Sequence, residues 1–94
     1  MAKKGYVYIL ASGRNGTLYI GVTSQMPRRN DEHKNETYKG FTSRYNVKRL
    51  VYVEEHENIT TAIAREKAMK KWRRAWKIEL IEKANPAWDD LYSA

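Results

Sequence analysis

Two short runs rich in β-branched and aromatic residues, Tyr6-Val7-Tyr8-Ile9-Leu10 and Thr17-Leu18-Tyr19-Ile20-Gly21-Val22-Thr23, stand either side of a loop containing Gly13, Asn15 and Gly16. Runs of this kind around a Gly/Asn turn predict an antiparallel hairpin, with a phenol in the middle of each strand. Register decides whether the phenols meet. A tight Asn15-Gly16 turn pairs Ser12 with Tyr19, whereas a loop over residues 11–16 sets Tyr8 opposite Tyr19 and makes the two tyrosines neighbours.

The rest of the chain supplies one more strand and several helices. Pro27 suits the first position of a helix, and no further breaker follows before Asn35, but this segment has almost no apolar stripe and is expected to lie on the surface. A loop over residues 38–46 interleaves Tyr38, Phe41 and Tyr45 with hydroxyls and cations. Residues 47–53, centred on Leu50-Val51-Tyr52-Val53, read as a third strand, closed by Glu54-Glu55-His56-Glu57. Asn58 is a good N-cap for a helix beginning at Ile59. A break is expected near residues 70–75, because Lys70 and Arg73 fall on the stripe set by Ile59, Ala62, Ile63 and Met69, while Trp72, Trp76 and Leu80 start a new one. The tail after Asn85-Pro86 is expected to pack Trp88 and Leu91 back onto the body. No repeat or linker divides residues 1–94, so a single domain is expected.

Charge narrows the partner. Eighteen Lys plus Arg against eleven Asp plus Glu give a formal charge of +7, which favours a polyanion, with nucleic acid ahead of an acidic membrane. No apolar run approaches the length of a membrane span. The chain has no cysteine, which excludes disulfide frameworks, thiol nucleophiles and zinc ribbons. The N-terminus lacks the apolar stretch of a secretory signal, so a cytoplasmic protein is expected.

Several residues could carry chemistry. Arg29 and His33 lie one turn apart on the expected helix, where a guanidinium could grip phosphate oxygens and an imidazole relay a proton; the bland alternative is a solvated face beside Asp31 and Glu32. Glu66 points into the apolar side of its helix, among Ile59, Ala62, Ile63 and Met69. A carboxylate there must be paired with Lys or Arg, or must hold a metal, for which Mg²⁺ with one protein carboxylate and substrate oxygens is the economical form. Tyr8 and Tyr19 are either ordinary strand residues or phenols that a neighbouring cation such as Arg29 helps to ionise. Lys39, Thr42, Ser43 and Arg44, together with Lys67, Lys70, Lys71, Arg73 and Arg74, form a footprint for a phosphate backbone; the second group equally suits a solvated helix face. No Gly-rich phosphate loop, helix-turn-helix signature or Cys/His finger is present.

These residues resemble the GIY-YIG nuclease superfamily, in particular the small stand-alone bacterial members related to the nuclease domain of the excision-repair endonuclease. Val7-Tyr8 stands where the family has Ile-Tyr, with the preceding glycine displaced to Gly5, and Tyr19-Ile20-Gly21 reproduces the second half-motif. Arg29 follows at the family's spacing, His33 occupies a position that is His or Tyr in relatives, and Glu66 lies in an Ala-Arg-Glu-Lys helix like the family's metal-binding glutamate. The resemblance matches Asn85 to a late asparagine and adds it to the DNA-binding set. It implies an α+β fold, a three-stranded antiparallel sheet flanked by helices, in agreement with the elements above. It also implies endonuclease hydrolysis of DNA phosphodiesters with one Mg²⁺ or Mn²⁺ ion at Glu66. A tyrosine or the histidine would draw a proton from water while the arginine stabilises the phosphorane. Where several relatives place lysine after the glycine of the second half-motif, this chain has Val22 and Thr23, which implies weak activity or another cation in that role.

The leading expectation is therefore a structure-dependent or low-specificity DNA endonuclease of repair or recombination, acting on branched or single-stranded DNA, with a protein partner for targeting. The alternative is a non-catalytic DNA-binding module of the same fold. A weaker third reading is a basic protein associated with RNA or the ribosome.

Overall fold

The computed structural model describes residues 3–26 and 47–92. The expected helix from Pro27 and the loop over residues 38–46 lie outside them. The described residues form three strands, β1 (Gly5–Ala11), β2 (Leu18–Thr23) and β3 (Arg49–His56), and two helices, α1 (Ile59–Lys70) and α2 (Arg74–Ala84). The strands make one antiparallel sheet in the order β2-β1-β3, so the fold is the expected α+β sheet with helices.

β1 is central, and its run from Val7 to Ala11 is buried on both faces. Val7, Ile9 and Ala11 face the helices and join Ile20, Tyr52, Ala62, Met69, Ile81 and Trp88 in one core cluster. Tyr8 and Leu10 face the other way and pack with Val47 and Leu50, bordered by Tyr19, Val53 and Tyr92. This two-sided burial explains why the segment reads as a continuous apolar run rather than an alternating one.

Neither anticipated hairpin register occurs. The observed pairing sets Leu10 opposite Tyr19 and Tyr8 opposite Gly21, one step between the two alternatives. The loop closes through Ser12, whose backbone N–H donates to the Thr17 carbonyl at 3.0 Å and whose Oγ accepts from the Thr17 N–H at 2.9 Å. Asn15 takes a left-handed conformation, φ 57°, in the turn.

β3 also differs from expectation, running on through Glu54, Glu55 and His56 instead of closing at residue 53. Leu50 pairs with Leu10 and Tyr52 with Ile9, leaving Val51 as the extra residue of a bulge. The carbonyl of Val51 is satisfied by Asn85, whose Nδ2 donates to it at 3.0 Å.

α1 starts where the sequence puts it. Asn58 Oδ1 accepts from the Thr61 N–H at 2.9 Å, and the Ile59 N–H donates to the Lys3 carbonyl at 2.8 Å, tying the first turn to the start of β1. The strand and helix approach so closely that a Cβ on Gly5 would lie 2.5 Å from that of Ala62. The anticipated break falls at residues 71–73, after which α2 begins at Arg74. Trp72 and Leu80 pack against the core, but Trp76 is 52% exposed and does not extend their stripe. In the tail Trp88 is fully buried, whereas Leu91 is exposed and contributes its backbone N–H to the Leu50 carbonyl instead.

Candidate active site

Tyr8 and Tyr19 are diagonal neighbours on one sheet face, two residues apart in register, with ring centroids 6.4 Å apart and planes inclined at 37°. Gly21 is what lets Tyr8 lie there. A Cβ on Gly21 would sit 2.4 Å from Cζ and Oη of Tyr8, so the phenol rests directly on the glycine backbone. The glycine of the Tyr19-Ile20-Gly21 run thus has a steric reason, and it aims Tyr8 toward β2.

Glu66 is buried on α1, 8% exposed, and its Oε2 accepts from Lys70 Nζ at 2.9 Å. The lysine side chain is 54% exposed. This answers the question posed by a carboxylate on an apolar stripe, and it explains why Lys70 falls on that stripe one turn later. Both groups act on Tyr19. Burial is the main effect raising its phenol above the ordinary value, with the Lys70 ammonium pulling it down and the Glu66 carboxylate pushing it up. Tyr19 is therefore a neutral hydrogen-bond donor at neutral pH unless further positive charge arrives.

Arg29, His33, Lys39, Thr42, Ser43 and Arg44 lie outside the described residues. Lys70, the last residue of α1, and Arg73, in the break before α2, are both exposed. Asn85, expected among the DNA-binding residues, has its amide engaged inside the fold. It is 7% exposed, Nδ2 donates to the carbonyls of Val51 and Asp89, and Oδ1 accepts from the Asp89 N–H. The bulge needed a donor, and this amide supplies it.

A second polar cluster was not anticipated. On the helix side of β3, Glu54 accepts from Tyr52 Oη at 2.5 Å and from Arg65 Nε at 2.8 Å, and contacts His56 Nε2 at 2.8 Å. Burial opposes ionisation of Glu54, but hydrogen bonds from Arg65, Tyr52 and His56 outweigh it and hold the carboxyl below its ordinary value. Burial, reinforced by the bond to Glu54, pushes the Tyr52 phenol far above its own. The signal is the period-two spacing of Tyr52, Glu54 and His56, which shows only when the strand runs past residue 53.

Among the described residues no three His, Cys, Asp or Glu side chains gather as a metal cluster. Glu66 is a single hard oxygen donor held by an exposed, displaceable lysine, and one carboxylate completed by waters and phosphate oxygens is an arrangement that suits Mg²⁺.

Comparison with known proteins decides the family. The model of the GIY-YIG catalytic domain matches residues 4–79, most of the chain. The chain belongs to the GIY-YIG family. A UPF0213 protein of Syntrophus aciditrophicus (strain SB) is 41% identical over 85 residues, covering 88% of this chain and 94% of that protein. Another, from Clostridium perfringens (strain 13 / Type A), is 37% identical over 76 residues, 81% of each. No solved structure matches the chain significantly. GIY-YIG membership makes this a nuclease-type domain, of a kind generally dependent on divalent metal and suggesting DNA as substrate. Among the described residues no helix is long and apolar enough to cross a membrane.

Proposed function

We propose that the chain is a cytoplasmic, metal-dependent DNA endonuclease of low sequence specificity that cleaves branched or single-stranded DNA during repair or recombination, with a protein partner targeting it. The observation that carries this reading is the pair of phenols on one face, with the Glu66–Lys70 pair in electrostatic reach of Tyr19.

In this reading Glu66 holds one Mg²⁺ or Mn²⁺ ion after Lys70 releases the carboxylate. The bound ion supplies positive charge to the scissile phosphate and lowers the pKa of water. Tyr8, resting on Gly21, and Tyr19 orient the attacking water, and one of them, or His33, takes its proton as the oxygen bonds to phosphorus and the ester oxygen departs. Tyr19 is protonated at rest, so a base role for it depends on added charge, which Arg29 also provides while stabilising the phosphorane. Lys70, freed from Glu66, is then a cation available to the phosphate and occupies the role that Val22 and Thr23 cannot fill.

The test is cleavage of nicked, branched and single-stranded DNA with Mg²⁺, Mn²⁺ or chelator. Glu66→Gln and Tyr19→Phe are expected to lower turnover at least about a hundredfold with melting temperature nearly unchanged. Turnover equal to the parent's in both variants removes the site assignment. The Lys70 contact on Glu66 also favours a second reading, a DNA-binding module in which the carboxylate stays neutralised. Salt-dependent binding that ignores Glu66→Gln, with no cleavage under any metal, would establish that one.

A further inference from the structure

The break between the helices carries an aromatic and basic surface that the phenol site does not use. Residues 67–77 contain six Lys or Arg, no Asp or Glu, and two of the three tryptophans. Trp72 and Trp76 meet edge to face, with centroids 6.3 Å apart and planes at 76°. The Arg65 guanidinium lies 4.9 Å from the Trp72 ring, and that of Arg73 lies 5.6 Å from the Trp76 ring.

These contacts have unequal consequences. Trp72 packs on the core, and Arg65 beside it is committed to Glu54, so the inner half of this ladder is fixed to β3. Arg74 is committed too, its Nη2 donating to the carbonyls of Asn15 and Gly16 at 2.7 and 2.6 Å, which anchors the start of α2 to the hairpin loop. Among the described residues the side chains of Trp76 and Arg73 have no such internal duty. Trp76 leaves half its surface to solvent, and it borders a groove shared with Trp72, Glu79, Leu80 and Lys83, in which the Glu79 carboxylate stands on the side away from Arg73 in sequence and a phosphate would have to be met by the cations of the turn.

An exposed indole costs solubility and contributes little to folding, so its placement among uncommitted cations calls for a ligand with both a flat apolar face and negative charge. An unpaired nucleobase joined to its phosphate has both. Stacking on aromatics is tolerant of sequence, and the adjoining phosphate finds Arg73 or Lys71.

We propose that Trp76, braced edge-on by Trp72 and flanked by Arg73, is a stacking platform for an unpaired base, so that the protein engages single-stranded or splayed nucleic acid through this surface. The proposal rests on the nucleic-acid partner of the nuclease reading but not on its chemistry, and it gives that partner a form. The surface is built by the turn between α1 and α2, and Trp72, Trp76 and Arg73 are not residues of the phenol site.

The experiment measures equilibrium binding in chelator, by fluorescence anisotropy, of an oligothymidine and of an abasic oligonucleotide of equal length and charge. The protein is expected to bind the base-bearing strand roughly tenfold more tightly. Trp76→Ala should erase that difference while still binding both strands through charge, and Trp76→Phe should restore most of it. Thermal melts of each variant, expected to match the parent, separate stacking from misfolding. Unchanged preference in Trp76→Ala, or equal affinity of the parent for the two strands, overturns the platform. Active cleavage alongside either result leaves the nuclease reading standing. Conversely, a base preference that depends on Trp76 without cleavage under any metal supports the platform and removes the nuclease.

Discussion

The molecule builds two clusters from the same parts, a glutamate, tyrosine and a cation, and finishes them differently. At Glu54 the carboxylate is closed by Tyr52, His56 and a bidentate approach from Arg65, all on the helix side of β3. At Glu66 the partner among the described residues is Lys70, a half-exposed side chain, and the nearby phenol of Tyr19 is neutral. A saturated carboxylate holds elements together, whereas one held by a displaceable ammonium can change partners. Glu54 joins β3 to α1 and serves the fold; Glu66, held among the described residues by an exposed lysine, is the carboxylate proposed to take a ligand.

The largest effect that separates them is on stability. Glu54→Ala strands Arg65, Tyr52 and His56 together and should cost about 2–3 kcal/mol in urea denaturation, whereas Glu66→Gln should cost under about 1 kcal/mol. Equal losses would erase the distinction. The acid limb sharpens it. The Glu54 carboxyl lies below its ordinary 4.5 when folded, so its contribution is full above that value and is lost as pH falls through the folded pKa. The steepness of acid unfolding below about pH 4.5 should therefore lessen in Glu54→Gln, where no carboxyl remains to be protonated.

Next in size is the support under the open cluster. Gly21→Ala places a methyl within 2.4 Å of the Tyr8 phenol, on a ring whose neighbours leave it 4% exposed, so about 2 kcal/mol of strain or ring displacement is expected. Because the three atoms nearest that methyl all belong to Tyr8, the same substitution in a Tyr8→Ala background should cost much less. A full cost in that background would mean that Gly21 is needed for its backbone and not for the room it gives the phenol.

How much of this was legible follows from which interactions are local. The hairpin, the Asn58 cap and the helix break are written in adjacent residues and periodicity, and the chain folds as they suggest. Register was not, because it turns on how Ser12 bridges to Thr17 and on a left-handed Asn15, neither of which a strand pattern encodes. Glu54 and His56 looked like a polar end to β3, and only Arg65, eleven residues beyond Glu54 and on another element, makes their burial affordable. Asn85 enters the DNA-binding set through the family resemblance, and nothing in sequence announces the bulge at Val51 whose carbonyl it satisfies. At the candidate site the tyrosine pair and the odd position of Glu66 were readable from alternation and helical phase. That Lys70 is its partner was one of several choices a basic chain offers, and the contact distance singled it out.

The smallest effect expected concerns that partner. Lys70→Met removes an i,i+4 pair whose lysine is 54% exposed, and such pairs contribute only about 0.3–0.5 kcal/mol, so the melting curve should scarcely move. The consequence lies elsewhere. The Lys70 ammonium lowers the Tyr19 phenol against burial, and removing it should shift the spectrophotometric titration of that tyrosine to still higher pH. Isolated as the difference between Lys70→Met and Lys70→Met/Tyr19→Phe, an unshifted titration would show that the lysine touches only Glu66. A large loss of stability would show instead that Glu66 cannot tolerate release, and the two carboxylates would then be alike: both structural, with neither free to take a ligand.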